Sequence, residues 1–341
     1  MQFPIKIAHP RPSSFQNSDK IVLAADIGGT KTNMALFERD GMVFRKLFSH
    51  KYVSAEYPSP TEIVRDFRSR ADKDFDAISL AIAGPVHKQR VQATNLPWVF
   101  SAAEIKEAMG MDEVYLINDL EANAYGLAVT DQDKLKVLYT GEENPEGNVA
   151  LISPGTGLGE AGLYFDGRAL HPFATEGGHC DFAPQTPLDF EMLNYLQRDL
   201  DHVSWERLVS GMGIENIFNF FASVKKMDVP NELKNAQPKS MGPTISRLAA
   251  TGDCPICEET MHMFLRYLAE ESGNLILKYK ATGGLFIGGG IVPDILDQLD
   301  LETFLHYLQN SGRMEALLRK VPVVVILNEE AALYGAAFYG F

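Results

Sequence analysis

The sequence predicts a two-domain α/β protein with a cleft between the domains. Three observations carry this: the chain length, a strand–turn–strand unit that occurs twice, and strand patterns that alternate with helical ones. At 341 residues the chain exceeds what a single hydrophobic core usually holds, so two domains are the first expectation. Hydrophobic residues at 45%, charged residues at 22% and a mean hydropathy of -0.10 are ordinary for a folded chain with sizeable cores.

The first unit begins at Ile21 to Ile27, apolar and β-branched. Gly28-Gly29 then turns the chain, Asn33 to Glu38 returns as a strand, Asp40-Gly41 marks a hairpin, and Met42-Val43-Phe44 starts a third strand. A dinucleotide-binding fold enters a helix at its glycines, so the returning strand disfavours a Rossmann reading. Downstream, Val149 to Ser153, Gly155-Thr156-Gly157, Glu160 to Phe165 and Asp166-Gly167 repeat the pattern. Gly29, Thr30, Ala35, Asp40 and Gly41 match Gly155, Thr156, Ala161, Asp166 and Gly167 without a gap, which points to internal duplication.

Between the two units, Ser101-Ala-Ala-Glu104 reads as a capping box and Gly110 as a C-cap, enclosing a short helix. Val114 to Ile117 reads as a strand, with Asn118-Asp119 at its end and a helix over Leu120 to Leu127. Residues 226–244 are polar and carry prolines, as a surface loop would. A long helix over Ile256 to Tyr279, a strand at Leu285-Phe286-Ile287 leading into Gly288-Gly289-Gly290, and a last strand over Val321 to Leu327 follow. Asn328 is placed to cap a helix through Ala337. The expected division is an extension over 1–20, loosely ordered, a small domain over 21–117 completed by 328–341, and a large domain over 118–327.

The net charge of -14 repels nucleic acid and anionic membrane surfaces, and no basic run offers an exception. Three cysteines, Cys180, Cys254 and Cys257, are too few for a disulfide framework and suggest a reducing compartment. No apolar run reaches the ~18 residues of a membrane span, and the opening stretch lacks the pattern of a signal peptide. A cytoplasmic protein is expected.

Two glycine turns, each leaving a strand and each with a threonine beside the glycine, form a clamp for a polyphosphate, because glycine lets backbone N–H groups approach an anion closely. Asp26 precedes the first turn, where a carboxylate either holds Mg2+, directly or through water, or closes its own turn. Lys31 reads equally as a phosphate contact and as a solvated strand residue. No Gly-x-x-x-x-Gly-Lys-Ser/Thr run is present, so an ATP site here is not of the Walker A kind. Asp119 reads as a helix N-cap or as a carboxylate aimed into the crevice at a strand's carboxyl end; Asn118 offers a donor and an acceptor to a hydroxyl. Glu176-Gly-Gly-His179 suits paired reading of neighbouring hydroxyls or is an ordinary polar loop. Glu206 reads as a first-turn glutamate behind Ser204. Structural zinc is a poor match to the cysteine and histidine spacing.

In order along the chain, Asp26-Ile-Gly-Gly-Thr30, Ala83-Gly-Pro85, Thr94-Asn95 with Trp98, Ile117-Asn-Asp119 and Gly155-Thr-Gly-Leu-Gly159 are followed by Glu176-Gly-Gly-His-Cys-Asp-Phe-Ala-Pro184, Val203-Ser-Trp-Glu-Arg207, Ser210-Gly-Met-Gly213 and Gly288-Gly-Gly-Ile-Val-Pro293. This series resembles the bacterial glucokinase family, within the hexokinase and actin-like ATPase superfamily. The resemblance covers nearly the whole chain from Ile21. It implies two actin-like, ribonuclease H-like domains of mixed sheet plus helices. It further implies ATP and Mg2+ as cofactors, glucose as substrate, and Asp119 as catalytic base. Asn118, Glu176, His179 and Glu206 would hold sugar hydroxyls, with Asn95 a further sugar contact. Gly28, Gly29 and Thr30, with Gly155, Thr156 and Gly157, would hold phosphates, and Gly288, Gly289 and Gly290 would lie against the adenosine. Lys31-Thr32 stands where this group often has asparagine. Another hexose as substrate, or a sugar-responsive regulator on the same fold, is the competing expectation; no helix-turn-helix pattern precedes Ile21. A homodimer is compatible with all of these observations.

Overall fold

The computed structural model describes residues 5–11, 19–94, 96–142, 144, 146–234 and 241–341. Asn95 and 235–240 of the expected surface loop therefore lie outside the described residues. The chain divides into two compact units. One holds the chain up to Leu135 together with Ala161–Ala174 and Asn328–Phe341, and the other holds Lys136–Glu160 and Thr175–Leu327. The sequence reading sets its boundary at Ile117, whereas the first unit continues through the next helix and takes in the second hairpin.

In the first unit, β1 (Val22–Ile27), β2 (Lys31–Asp40) and β3 (Val43–Val53) form an antiparallel meander. After α1 (Pro60–Arg70) come β4 (Ala77–Ile82), the small ribbon of β5 (Arg90–Gln92) and β6 (Val99–Ser101), α2 (Ala102–Met109), β7 (Val114–Asn118) and α3 (Asp119–Gly126). The sheet order is β3-β2-β1-β4-β7, with β1, β4 and β7 mutually parallel. Fully buried strands such as Ala77–Ile82 read as continuous apolar runs because both faces of a parallel sheet are covered. Leu23, Ile27, Leu80 and Ile82 pack with Phe67 of α1 and Ile105 of α2 in the core. Ser101 caps α2 by accepting from the Glu104 N–H, and Gly110 ends it in the left-handed conformation, as the sequence predicts; the expected capping box is only half formed, because the Glu104 carboxylate pairs with Arg90 instead of returning to the Ser101 N–H.

The second unit contains β8 (Leu135–Tyr139) from Lys136 onward and β9 (Val149–Pro154), which turns at Gly155 into β10 (Leu158–Phe165). From Ala161, β10 pairs antiparallel with β11 (Leu170–Ala174) within the first unit. Each copy of the repeated sequence thus builds strand, glycine turn, strand, hairpin, strand. The second unit continues with α4 (Pro187–Leu196), α5 (Gly211–Ser223), the short α6 (Asn231–Lys234), α7 (Met241–Ala249), the 25-residue α8 (Pro255–Tyr279), β12 (Gly284–Ile287), α9 (Ile291–Asp294), α10 (Leu301–Gln309), α11 (Glu315–Leu318) and β13 (Val323–Ile326). Its sheet runs β9-β12-β13-β8. β9, β12 and β13 are parallel, and Ile152, Leu285 and Val325 pack with Trp205, Phe264 and Tyr267.

The last helix, α12 (Ala331–Gly340), belongs to the first unit and packs on α3. The contact is backbone on backbone: a β-carbon at Gly335 would collide with the Ala122 carbonyl, and one at Gly126 with that of Ala331. Asn328 does not cap this helix directly; its Oδ1 accepts from the Glu330 N–H in the preceding turn. The start of the chain is also placed. Ala8 N–H donates to the Leu170 carbonyl and Leu170 N–H to that of Lys6, and Arg11 lies over the Tyr115 ring. Residues 5–11 are therefore docked on the first unit, contrary to the loose order expected from their composition.

Candidate active site

In the first unit the three parallel strands end together. Ile27 pairs with Ile82, and Ile82 with Asn118, so the glycine turn, the Ala83-Gly-Pro85 loop and Asp119 all leave the carboxyl edge of one sheet, where open α/β sheets gather ligands. Asn118 is the N-cap of α3: its Oδ1 accepts from the N–H groups of Leu120 (2.9 Å) and Glu121 (3.1 Å). Its Nδ2 donates to the Gly84 carbonyl at 3.2 Å. Asp119 is the first residue of the helix, half-buried, with Oδ1 accepting from the Leu120 N–H at 3.0 Å. The cap reading offered for Asp119 thus falls to Asn118. Asn118 in turn keeps one amide N–H as its means of reaching a hydroxyl, since its oxygen is committed to the cap.

Asp26, at the end of β1, is pushed up to about 6, first by burial, then by the charge of Asp119, against the opposing hydrogen bond with Asn33. Two carboxylates held this way favour a proton or a cation between them. The first glycine turn is closed by Gly28 N–H donating to the Lys31 carbonyl at 2.9 Å, so Gly29 and Thr30 are the residues with amides to offer an anion. Lys31 is exposed at the start of β2. Ser54, fully buried, donates to the Gly28 carbonyl (2.9 Å) and lies 3.0 Å from the Thr32 hydroxyl, while its N–H donates to the Thr30 carbonyl. Ser54 fixes the turn from a distant stretch of chain, and no sequence pattern marks it.

The second unit brings together the other candidates. Gly155 N–H closes its turn on the Gly157 carbonyl at 2.8 Å, and Gly211 N–H at the start of α5 donates to the Gly155 carbonyl. Ser210, whose hydroxyl caps α5 and donates to the Glu206 carbonyl, ties that helix to the Glu206 segment. Glu206 packs on Gly157, its Oε2 accepting from the Leu158 N–H at 3.0 Å. Its other oxygen lies 3.9 Å from His179 Nδ1, and His179 Nε2 lies 4.0 Å from Glu176 Oε2. Those separations exceed direct hydrogen bonds, so the three side chains do not saturate one another. His179 and Glu176 are more than half exposed, at 56% and 53%, whereas Glu206 is at 19%. The loops are clipped by Trp205 N–H to the Cys180 carbonyl and Phe182 N–H to that of Val203. Gly288, Gly289 and Gly290 follow β12 beside Ser153 and Pro154, next to the second glycine turn; a β-carbon on Gly289 would strike the Pro154 carbonyl.

A family model described as Glucokinase matches residues 23–340. The chain belongs to the glucokinase family. A glucokinase of Nostoc punctiforme is 35% identical, over 93% of this chain and 98% of that protein. A solved glucokinase from an Antarctic psychrotroph is 34% identical with a TM-score of 0.79, covering 94% of this chain and 98% of that one. Another, from Balamuthia mandrillaris in complex with glucose, superposes with a TM-score of 0.78 at 19% identity, over 94% and 93% of the two chains, a likeness of fold. The expected actin-like arrangement of mixed sheets with helices is thereby borne out. Asp119, Glu176, His179, Glu206 and both glycine turns each stand on a defined local framework.

Proposed function

We propose that this member of the glucokinase family transfers the γ-phosphoryl group of ATP to the 6-hydroxyl of glucose, with Asp119 as general base. The observation that carries the reading is the division of labour at the start of α3. Asn118 caps the helix, while Asp119 sits at the carboxyl edge of the sheet beside Asp26, its charge favoured by the helix N-terminus. Asp119 accepts the hydroxyl proton as that oxygen attacks the γ-phosphorus in line. Glu176, His179 and Glu206 read sugar hydroxyls, a role supported by their grouping around the second glycine turn; Asn118 donates its remaining amide hydrogen, and Asn95 is carried over from the family pattern alone. Backbone amides at Gly29 and Thr30, and at Thr156 and Gly157, hold phosphate oxygens, with Lys31 free to swing toward them, and Gly288 to Gly290 border the adenosine.

Asp26 fits a divalent cation, because burial and Asp119 together make its negative charge costly without one. Mg2+ held there, directly or through water, would offset phosphate charge in the transferring group. Cys180, Cys254 and Cys257 are thiols outside any disulfide, which suits a cytoplasmic enzyme, and among the described residues no helix is long and apolar enough to cross a membrane.

An assay of ADP release against glucose, mannose, fructose and glucosamine tests the substrate. Glucose should give the highest kcat/KM, with little ADP released in the absence of sugar. A better substrate among the other hexoses would refute glucose, and sugar-independent release at the full rate would refute the kinase reading.

A further inference from the structure

Beneath the loop that carries Glu176 and His179 lies a carboxylate that the phosphoryl transfer does not use. Glu160, in β10, is 1% exposed, and neither of its carboxylate oxygens has a hydrogen-bond partner within the ordinary distance. Its side chain fills the space under Gly177, where a β-carbon would collide with Oε2. Its backbone holds the same loop: the Thr175 hydroxyl donates to the Glu160 carbonyl at 2.9 Å and accepts from the Gly177 N–H at 3.2 Å. Two residues earlier, the Leu158 carbonyl occupies the place a β-carbon on Gly178 would take, and the Leu158 N–H holds Glu206. One short stretch of β10 is therefore the floor for all three proposed sugar-reading side chains, and the glycine pair in Glu176-Gly-Gly-His179 is what lets the loop rest on it.

The groups that bear on Glu160 come from α8: Glu271, Lys278 and Tyr279. Glu271, fully buried, accepts from Lys278 and from Asn274, each at 2.9 Å. Cys180, at the end of the loop, acts on Lys278 and Tyr279. With Glu271 already served by a lysine and an amide, it is the member of the pair suited to carry the charge, and Glu160 the member suited to carry a proton.

We propose that Glu160 is a positioning residue for sugar binding: its side chain under Gly177, facing the charge of Glu271, sets the seat of the Glu176–His179 loop. This rests on the sugar-reading role given to Glu176 and His179. Burial, and then the charge of Glu271, push the Glu160 carboxyl up to about 8, so it is protonated at neutral pH and ionises just above it. Ionisation places two buried negative charges against each other and forces one side chain, and the loop above it, to move. Affinity for glucose, rather than turnover, is the quantity that should respond.

The test measures glucose KM, ATP KM and kcat from pH 6.5 to 9 for the native protein, Glu160→Gln and Glu176→Gln, with melting temperatures alongside. Glutamine keeps the shape and a donor toward Glu271 but cannot ionise. In the native protein glucose KM should climb on the order of tenfold across this range, with ATP KM little changed. Glu160→Gln should hold the near-neutral KM and remove the climb. Its melting temperature should gain on that of the native protein as the pH rises toward 8, since a raised carboxyl stabilises only while protonated. A climb that persists in Glu160→Gln, or a native KM that is flat, overturns the proposal. So does a loss of kcat and glucose affinity together at every pH in a folded Glu160→Gln protein. Glu176→Gln separates the two readings: an unchanged glucose KM there refutes the sugar contact, while a pH response still abolished by Glu160→Gln upholds the positioning role.

Discussion

In the proposed phosphoryl-transfer site, the neighbouring carboxylates Asp26 and Asp119 stand in different surroundings. Asp119 lies at a helix N-terminus that favours its charge, while Asp26 is raised to about 6 by burial and by Asp119. A carboxyl whose folded value is raised above its unfolded one, near 4, adds stability below that pH and loses it as the pH climbs through about 6. Without nucleotide, Asp26→Asn should therefore melt higher than the native protein at pH 7.5, by on the order of 1–3 kcal/mol, and the gap should close toward pH 4. With Mg2+ and ATP added the order should reverse, because only the native carboxylate can engage the cation. Thermal melts at the two pH values, with and without Mg2+-ATP, check this; a gap independent of pH would show that Asp26 is not held ionised at a cost.

The seat of α3, whose start Asn118 caps, is fixed by an element-level contact that also explains two glycines. Gly126 of α3 and Gly335 of α12 let the two helices meet backbone to backbone, and α12 also packs on β1 and β4. The atoms in the way of a larger residue are main-chain carbonyls, which cannot rotate aside. Gly335→Val should cost about 3 kcal/mol, lowering the melting temperature by roughly 6 °C, and should reduce kcat by displacing Asp119 while leaving Glu176 and Glu206 in the other unit undisturbed. Denaturation and kinetics on the variant check both parts. A variant with native stability and turnover would show that the contact does not fix α3.

Legibility at the element scale followed the local signals. Strands such as Val149–Pro154 and the helix behind Ser101 were readable because β-branched runs, caps and glycine turns are local in sequence. Ser54 and Glu160 were not, since what gives them a role is a contact with residues far along the chain, at Gly28 and Gly177. The cap at Asn118 in place of Asp119 turned on which of two adjacent polar residues takes extended backbone, a choice that propensity leaves nearly even. The docked residues 5–11 escaped for a similar reason: His9 and Arg11 are anchored on Phe338 and Tyr339 at the other end of the chain.

For the whole molecule, a net charge of -14 makes the binding of an anionic nucleotide depend on local donors and a cation, and each unit carries one copy of the glycine turn proposed to supply such donors. The duplication was visible in five matched residues, and the return of 328–341 to the first unit was expected from the sequence, whereas the rest of the division was not: α3 and β11 join the first unit through packing that no linker composition announces. The central claim is that Asp119 is the base, and Asp119→Asn tests it most directly. Because Asn118 provides the cap, this substitution keeps the helix and relieves the charge on Asp26, so the variant should melt close to the native protein. With saturating glucose and Mg2+-ATP its turnover should fall roughly 10²- to 10⁴-fold, with ATP binding preserved. Turnover near the native rate in the folded Asp119→Asn protein would contradict the mechanism.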